Sequence, residues 1–126
     1  MTSWNAQDLA AIDADGELRV AADRPDGTVR ASRIVWHVVV DGSLYIRSVR
    51  GTDGAWYRGV QRTGTGVIDA GGVHATVAFV RDDTHDDAID AAYHAKYGNG
   101  TAVEHITSPT ARATTLRVEP APAPGR

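Results

Sequence analysis

The sequence contains no cysteine. Disulfides, thiol nucleophiles, zinc–thiolate sites and iron–sulfur clusters are therefore excluded. Lysine occurs once, at Lys96, beside twelve arginines. Schiff-base chemistry on lysine is accordingly not expected, whereas arginine suits fixed, bidentate contacts with phosphate or carboxylate. Large apolar side chains are scarce, with one Met, one Phe, three Trp and four Tyr. Alanine, at twenty copies, packs elements closely but buries little area per residue. A dimer interface is expected to add the missing burial. There is no run of eighteen apolar residues, hence no candidate membrane-spanning helix. The segment Met1 to Asn5 has neither a basic cluster nor an apolar core, so no signal peptide is expected and the expected location is the cytoplasm.

What is present fits one ordinary globular domain of 126 residues, 42% apolar and 23% charged. Thirteen basic against sixteen acidic residues give a net charge of −3. That argues against nucleic acid as a partner, because such binding runs on surplus positive charge. No repeat or linker divides the chain. The expected partition is a domain over residues 1–118 and a flexible Pro-rich tail over 119–126, where Pro120, Pro122 and Pro124 oppose sheet pairing.

The local pattern is mostly β. Residues 3 to 14 predict a short helix capped by Ser3 or Asn5, and Glu17 to Arg24 a strand. Arg24-Pro25-Asp26-Gly27 is a turn. Val29 to Val40 is the strongest strand signal, ending in Ile34-Val35-Trp36-His37-Val38-Val39-Val40, apolar enough to be covered on both faces. Asp41-Gly42 then links it to Leu44–Val49 as a hairpin, because a type I′ turn needs positive φ at both positions. Residues 55 to 62 predict a short helix capped by Thr52 or Asp53. Val67–Ala70 and Val73–Arg81 flank Gly71-Gly72 as a second hairpin. Thr84 to Tyr97 is the clearest helix, with Thr84 and Asp87 resembling a capping box and Gly98 as its stop. Asn99 to Pro109 reads as a polar loop, and Arg112 to Val118 as a last strand. Antiparallel strands with few inserted helices predict an α+β chain on a small barrel.

One segment combines the features of an anion site. Arg47-Ser48-Val49-Arg50-Gly51-Thr52-Asp53-Gly54-Ala55-Trp56-Tyr57-Arg58 runs from a strand end, through a Gly-rich turn, into a helix start. Backbone N–H groups at a helix start bind anions, and glycine lets a phosphate approach. Ser48 and Thr52 offer hydroxyls, while Arg47, Arg50 and Arg58 offer charge from three places.

These same residues carry a resemblance. Asp41-Gly42-Ser43-Leu44-Tyr45-Ile46-Arg47-Ser48, followed by Gly51-Thr52 and Ala55-Trp56-Tyr57-Arg58, resembles the deazaflavin-dependent nitroreductases. In that family a strand leads through a Gly-rich turn to a Trp-Tyr-x-Asn-Leu helix. The turn Asp26-Gly27-Thr28 and the segment Thr63 to Gly72 are similar too, so the likeness spans about residues 24 to 81. The whole chain looks closer to a small family related to these proteins, with Trp4 near its start and an Ala91-Ala92-Tyr93-x-x-Lys96-Tyr97-Gly98 helix. The resemblance implies a split β-barrel, mainly antiparallel with flanking helices. It also implies a homodimer that binds flavin mononucleotide (FMN) or the deazaflavin coenzyme, and an oxidoreductase activity on a small organic molecule. By position, Arg47, Ser48, Gly51, Thr52, Trp56, Tyr57 and Arg58 would face the cofactor. Trp36 and Trp56 would wall its ring, with Trp36 and Tyr45 on the substrate side, and Tyr45 or Tyr57 would donate a proton. Two departures stand out: Gly59-Val60 replaces the Asn-Leu of the helix motif, and the family's upstream basic cluster is missing from Arg24-Pro25-Asp26-Gly27. They favour the competing expectation, a cofactor-free split-barrel homodimer that binds a small metabolite as a non-redox enzyme or accessory protein. A plain interaction module is the third.

Histidine chemistry adds one candidate. His37 is the best placed acid or base if the barrel encloses a ligand, since imidazole titrates near neutrality. Asp87, Asp90 and His94 can share a helix face, but acidic residues at a helix start already have a dipole reason, and no metal is expected. No serine has a nucleophile-elbow context, so hydrolase chemistry is not expected.

Overall fold

The computed structural model describes residues 4–121. Its elements in chain order are α1 (Ala6–Ala14), β1 (Leu18–Ala22), β2 (Arg33–Val35), β3 (His37–Val40) and β4 (Ser43–Ile46). A 3-10 turn (Gly51–Asp53), α2 (Ala55–Thr63), β5 (Thr65–Ala70) and β6 (Val73–Arg81) follow. The chain then forms α3 (Asp86–Tyr97), α4 (Thr101–Ile106), α5 (Pro109–Arg112) and β7 (Leu116–Pro120). All strand pairs are antiparallel, in the order β2-β1-β5-β6-β7-β4-β3.

That order explains the long apolar run. The segment expected as one strand over 29–40 divides at Trp36. Its first part pairs with β1, Leu18 opposite Val35, and its second with β4, His37 opposite Ile46. β2 and β3 are thus the two edges of the sheet, separated in sequence by one residue, and the sheet curls into a nearly closed split β-barrel. The α+β split barrel expected from the sequence is the fold observed.

Two apolar clusters fill the two sides of this wall. Leu18, Val20, Leu44, Ile46, Ile68, Val77 and Val118 share the main core with Tyr57 and Val60 of α2 and Leu9 and Ile12 of α1. Val38 and Tyr45 belong to a second cluster with Ile89 and Tyr93 of α3 and Val103 and Ile106 of α4. The alternation of Leu44 and Ile46 with Tyr45 and Arg47 is the strand period of two: one pair faces the main core, the other lies under the helices.

Both hairpins use the expected turns. Asp41 and Gly42 have φ of 51° and 78°, and Gly71 and Gly72 have 58° and 80°, the all-positive pattern of type I′. Gly71 has a second reason to be glycine, since a Cβ there would collide with the Ala11 carbonyl of α1. Its N–H also donates to Asp15 Oδ2 at 3.0 Å.

Several local expectations are corrected. The predicted loop over 99–109 holds α4, and α5 follows it, with Ser108 capping α5 and Pro109 at its first position. α4 is short, and Val103 and Ile106 form because they bury against α3 and β3–β4. Thr84 does not cap α3. Its hydroxyl and N–H both go back to Asp82 Oδ1, at 2.6 and 2.9 Å, an Asx-type turn that competes with capping. The last strand starts later than expected and ends at Pro120, opposite Val77, while Ala121 N–H donates to Thr76 O at 2.9 Å. Proline is tolerated there because the β4 pairing of β7 stops at Val118, so Pro120 has a strand on one side only. Asn5, of the two candidate caps, accepts from Asp8 N at 2.7 Å, and Ser3 lies outside the described residues, as do residues 122–126 of the expected tail.

Candidate functional site

Beyond β4 the chain leaves the sheet at Arg47, turns at Gly51 (φ 65°) and enters α2. This path lies alongside β2 and leaves a cavity of about 410 Å³, within the range of small-molecule sites. Trp36 and Trp56 line it, with Ile34 and Val49 as apolar wall and Arg33 and Arg50 as cations. Ile34 and Val49 are 48% and 53% exposed, two of the three large exposed apolar residues among those described. Trp36 is held flat by Tyr97, ring centroids 4.1 Å apart and planes at 9°. Trp56 meets Tyr57 edge-on at 6.0 Å.

Arg47 borders this cavity but its charge is used inside the protein. Its Nε donates to Thr115 Oγ1 at 2.9 Å, Nη1 to Asp90 Oδ1 at 2.5 Å and to the Ile106 carbonyl at 3.1 Å. Nη2 donates to the Asp86 carbonyl at 3.3 Å and to Asp86 Oδ1 at 3.1 Å. A guanidinium has five N–H groups, and these contacts occupy all of them. The Arg47 side chain, 0% exposed, also sits over the Tyr93 ring at 5.6 Å. It fastens β4 to α3 and α4 and has no donor left for a phosphate. The cations of the cavity without a carboxylate partner among the described residues are Arg33, which sequence reasoning passed over and whose Nη1 donates to the Ser32 carbonyl at 3.1 Å, and Arg50.

The start of α2 differs from expectation in a way that matters here. Neither Thr52 nor Asp53 caps it; the capping position is Gly54, which has no side chain to offer. The first N–H groups of an α-helix have no partner within it, and Gly54, Ala55 and Trp56 of this start line the cavity. Gly54 makes room for Ser48, because a Cβ there would collide with Ser48 Oγ. Ser48, buried in the same wall, is fixed by its N–H donating to Thr114 Oγ1 at 2.9 Å. Gly51 packs on Thr110, whose Cγ2 would lie 2.5 Å from an added Cβ.

The remaining sequence candidates scatter. Thr52 is exposed and Tyr57 is buried in the main core, neither lining the cavity. Arg58 is exposed on α2 and lines a separate cavity with Arg30 and Arg62. Tyr45 points under α3, with its hydroxyl 3.4 Å from both Asp82 Oδ2 and His85 Nδ1. Burial, with the nearby Asp82 carboxylate second, raises the Tyr45 pKa. Asp82 itself is lowered to about 2, first by the Thr84 hydroxyl, then by the Thr84 N–H and Arg117 against the opposing effect of burial.

His37 lies away from the cavity, with its Nε2 2.7 Å from the Ile12 carbonyl of α1. Lys96 Nζ stands 3.2 Å from the same Nε2, so this nitrogen lies between a carbonyl acceptor and an ammonium donor, and Nδ1 is buried without a partner among the described residues. Burial is the main reason its pKa is lowered, with the Lys96 charge adding to it. Lys96 Nζ donates to the His37 carbonyl at 3.0 Å. No group of three or more potential metal ligands occurs among the described residues, the acidic start of α3 included.

A nearly closed antiparallel barrel with flanking helices, and a cavity at the strand-to-helix exit of β4, defines this protein as a split β-barrel. The sequence matches the family described as uncharacterized protein conserved in bacteria (DUF2255) over residues 8–118, and the chain belongs to that family. No curated protein matches it. Its structure is similar to HutZ, a heme storage protein from Vibrio cholerae, with a TM-score of 0.64 at 10% identity over 96% of this chain and 92% of that one. Campylobacter jejuni ChuZ gives 0.65 at 13% identity over 94% of this chain and 55% of that one. An F420 reductase gives 0.55 at 17% identity over 90% and 92%. At these identities the likeness is one of fold.

Proposed function

We propose that this chain binds a flavin-type cofactor, FMN or the deazaflavin coenzyme, between Trp36 and Trp56, and acts as an oxidoreductase on a small organic molecule. The observation that carries the reading is the uncapped start of α2 opening onto an aromatic-walled cavity with two arginines, Arg33 and Arg50, that have no carboxylate partner among the described residues. A planar ring with an anionic substituent matches that combination, and the residues present fit such a group. When bound, the cofactor supplies the hydride chemistry.

The side chains divide the remaining work. Trp36, immobilised on Tyr97, and Trp56 orient a flat ring by stacking. The Ala55 and Trp56 N–H groups, with Arg33 and Arg50, hold its anionic group. Ile34 and Val49 offer an apolar rim that a second copy of the chain would cover, excluding water and completing a homodimer. A haem occupant is less well served. The cavity wall contains no His, Cys, Met or Tyr among the described residues, and these are the side chains that ligate haem iron.

The test is titration of the purified protein with FMN and with the deazaflavin coenzyme, read by visible absorption and tryptophan fluorescence. Saturable micromolar binding that is lost in Trp56→Ala and weakened in Arg50→Ala is the expected result. A colourless protein that binds neither would overturn the reading. The full engagement of Arg47 inside the protein favours a second reading, a cofactor-free barrel that holds a small apolar metabolite, and the same titration separates the two.

A further inference from the structure

The cations of this chain are paired unevenly. Arg47, Arg112, Arg117 and Lys96 all have carboxylate partners. Arg30, Arg58 and Arg62 are three of the eight arginines without one among the described residues. These three line one cavity of about 550 Å³ on the outer side of α2. Arg58 and Arg62 are one helical turn apart, a like-charge spacing that disfavours a helix. The same α2 residue, Ala55, also lines the aromatic cavity, and Trp56 lines a smaller cavity together with Arg30 and Arg33. The two larger cavities are therefore neighbours across the first turn of α2.

Gly59 explains how the third arginine gets there. Within a helix glycine costs stability relative to alanine, so a packing reason is expected. A Cβ at Gly59 would lie 3.0 Å from Arg30 Cδ, 3.1 Å from Arg30 Nε and 3.2 Å from Ala22 Cβ. Glycine lets the stem of Arg30 lie across α2 and sets its charge beside Arg58 and Arg62.

We infer that Arg30, Arg58 and Arg62 form a second anion site, which takes a phosphate or carboxylate group of the ligand at a distance from its ring. This deepens the proposed function, resting on it for the aromatic end of the ligand and on the arginines alone for the anionic end. The ligand class is then an aromatic ring bearing two separate anionic groups, one at Arg33 and Arg50 and one at Arg30, Arg58 and Arg62. A solvated surface anion would not need the Gly59 contact.

Calorimetric titration with inorganic pyrophosphate, at low ionic strength and on the full chain, reads this site directly. The wild type should bind it saturably, with affinity falling as salt rises. Each of Arg58→Ala and Arg62→Ala should weaken binding about tenfold. Gly59→Ala should weaken it while the protein stays folded, because the new Cβ displaces Arg30. Arg19→Ala, a loss of the same charge from an exposed position on β1, should change nothing. Pyrophosphate should still bind when FMN is saturating. Absent binding, equal weakening by Arg19→Ala, or competition with FMN would overturn the inference. A duplex oligonucleotide that binds more tightly with the same arginine dependence would assign the face to nucleic acid and also overturn it. FMN binding without a pyrophosphate site would leave the proposed function intact, whereas arginine-dependent pyrophosphate binding without FMN would leave only the anion site.

Discussion

Arg47 Nη1 donates to Asp90 Oδ1 at 2.5 Å from a side chain with no exposure, while Asp90 keeps 26% of its own. The arginine is thus buried and the carboxylate is at the edge of the same pocket of protein. Breaking a buried pair by removing one partner leaves the other charge uncompensated. Arg47→Ala should therefore destabilise the fold by about 3–5 kcal/mol, read by urea unfolding. Arg47→Lys should recover little, since an ammonium has three donors for the five acceptor contacts. Arg50→Ala, by contrast, should unfold as the wild type does while losing ligand affinity. An Arg47→Ala protein of unchanged stability would show that this network does not hold β4 to α3.

Gly54 and Ser48 should be coupled. The Cβ of Gly54→Ala would collide with Ser48 Oγ but would stand 3.6 Å from Ser48 Cβ, an ordinary contact. Gly54→Ala alone is expected to cost about 1–3 kcal/mol. Adding Ser48→Ala should return most of it. A double-mutant cycle by thermal unfolding gives the coupling energy, and additive effects would show that the collision relaxes by another route.

Asp82 makes stability depend on acid. Its folded pKa of about 2 lies below the ordinary 3.8. A lowered carboxyl pKa stabilises above the unfolded value and loses that contribution as pH falls through the folded one. The loss should fall between about pH 4 and pH 2 and amount to about 2 kcal/mol. Asp82→Asn should be less stable at neutral pH and show a shallower acid limb between those values. Parallel acid limbs in the two proteins would contradict the assignment.

His37 should act earlier in the descent. Its folded pKa lies below the ordinary 6.5 because it is buried. A histidine lowered in this way stabilises above its unfolded pKa and loses that contribution as pH drops below it. Melting temperature should begin to fall below about pH 6.5, before the carboxylates titrate. His37→Gln, which keeps a donor for the Ile12 carbonyl, should flatten that part of the curve. An unchanged slope would place the titration elsewhere.

The elements that were legible in the sequence are those set by local chemistry. Asp41-Gly42 and Gly71-Gly72 read as hairpins because positive φ is demanded within two residues. α1 and α3 announced themselves through apolar spacing and flanking polar residues. α4 did not, because Val103 and Ile106 become a buried face only when α3 and the β3–β4 hairpin stand opposite them. The Thr84 capping box failed for a related reason, as Asp82 took both of its donors. At the candidate site, the turn from β4 into α2 and its two aromatic walls were visible in Ser48, Gly51, Trp36 and Trp56. The role of Arg47 was not, since Asp86 and Asp90 lie 39 and 43 residues away in sequence.

By itself the sequence determined the absence of thiol chemistry and a mainly antiparallel α+β strand set, which follow from composition and from periodicities a few residues long. The split-barrel class came from the resemblance carried by residues 24 to 81. The tertiary structure alone decided which arginines have carboxylate partners. It divided one apolar run at Trp36 into both edges of a closing sheet, buried Arg47 in a full complement of acceptors, and left Arg33 and Arg50 beside the tryptophans. The physical reason is that a charge is committed or available according to what surrounds it in space, and for this chain those surroundings come from residues far apart in sequence.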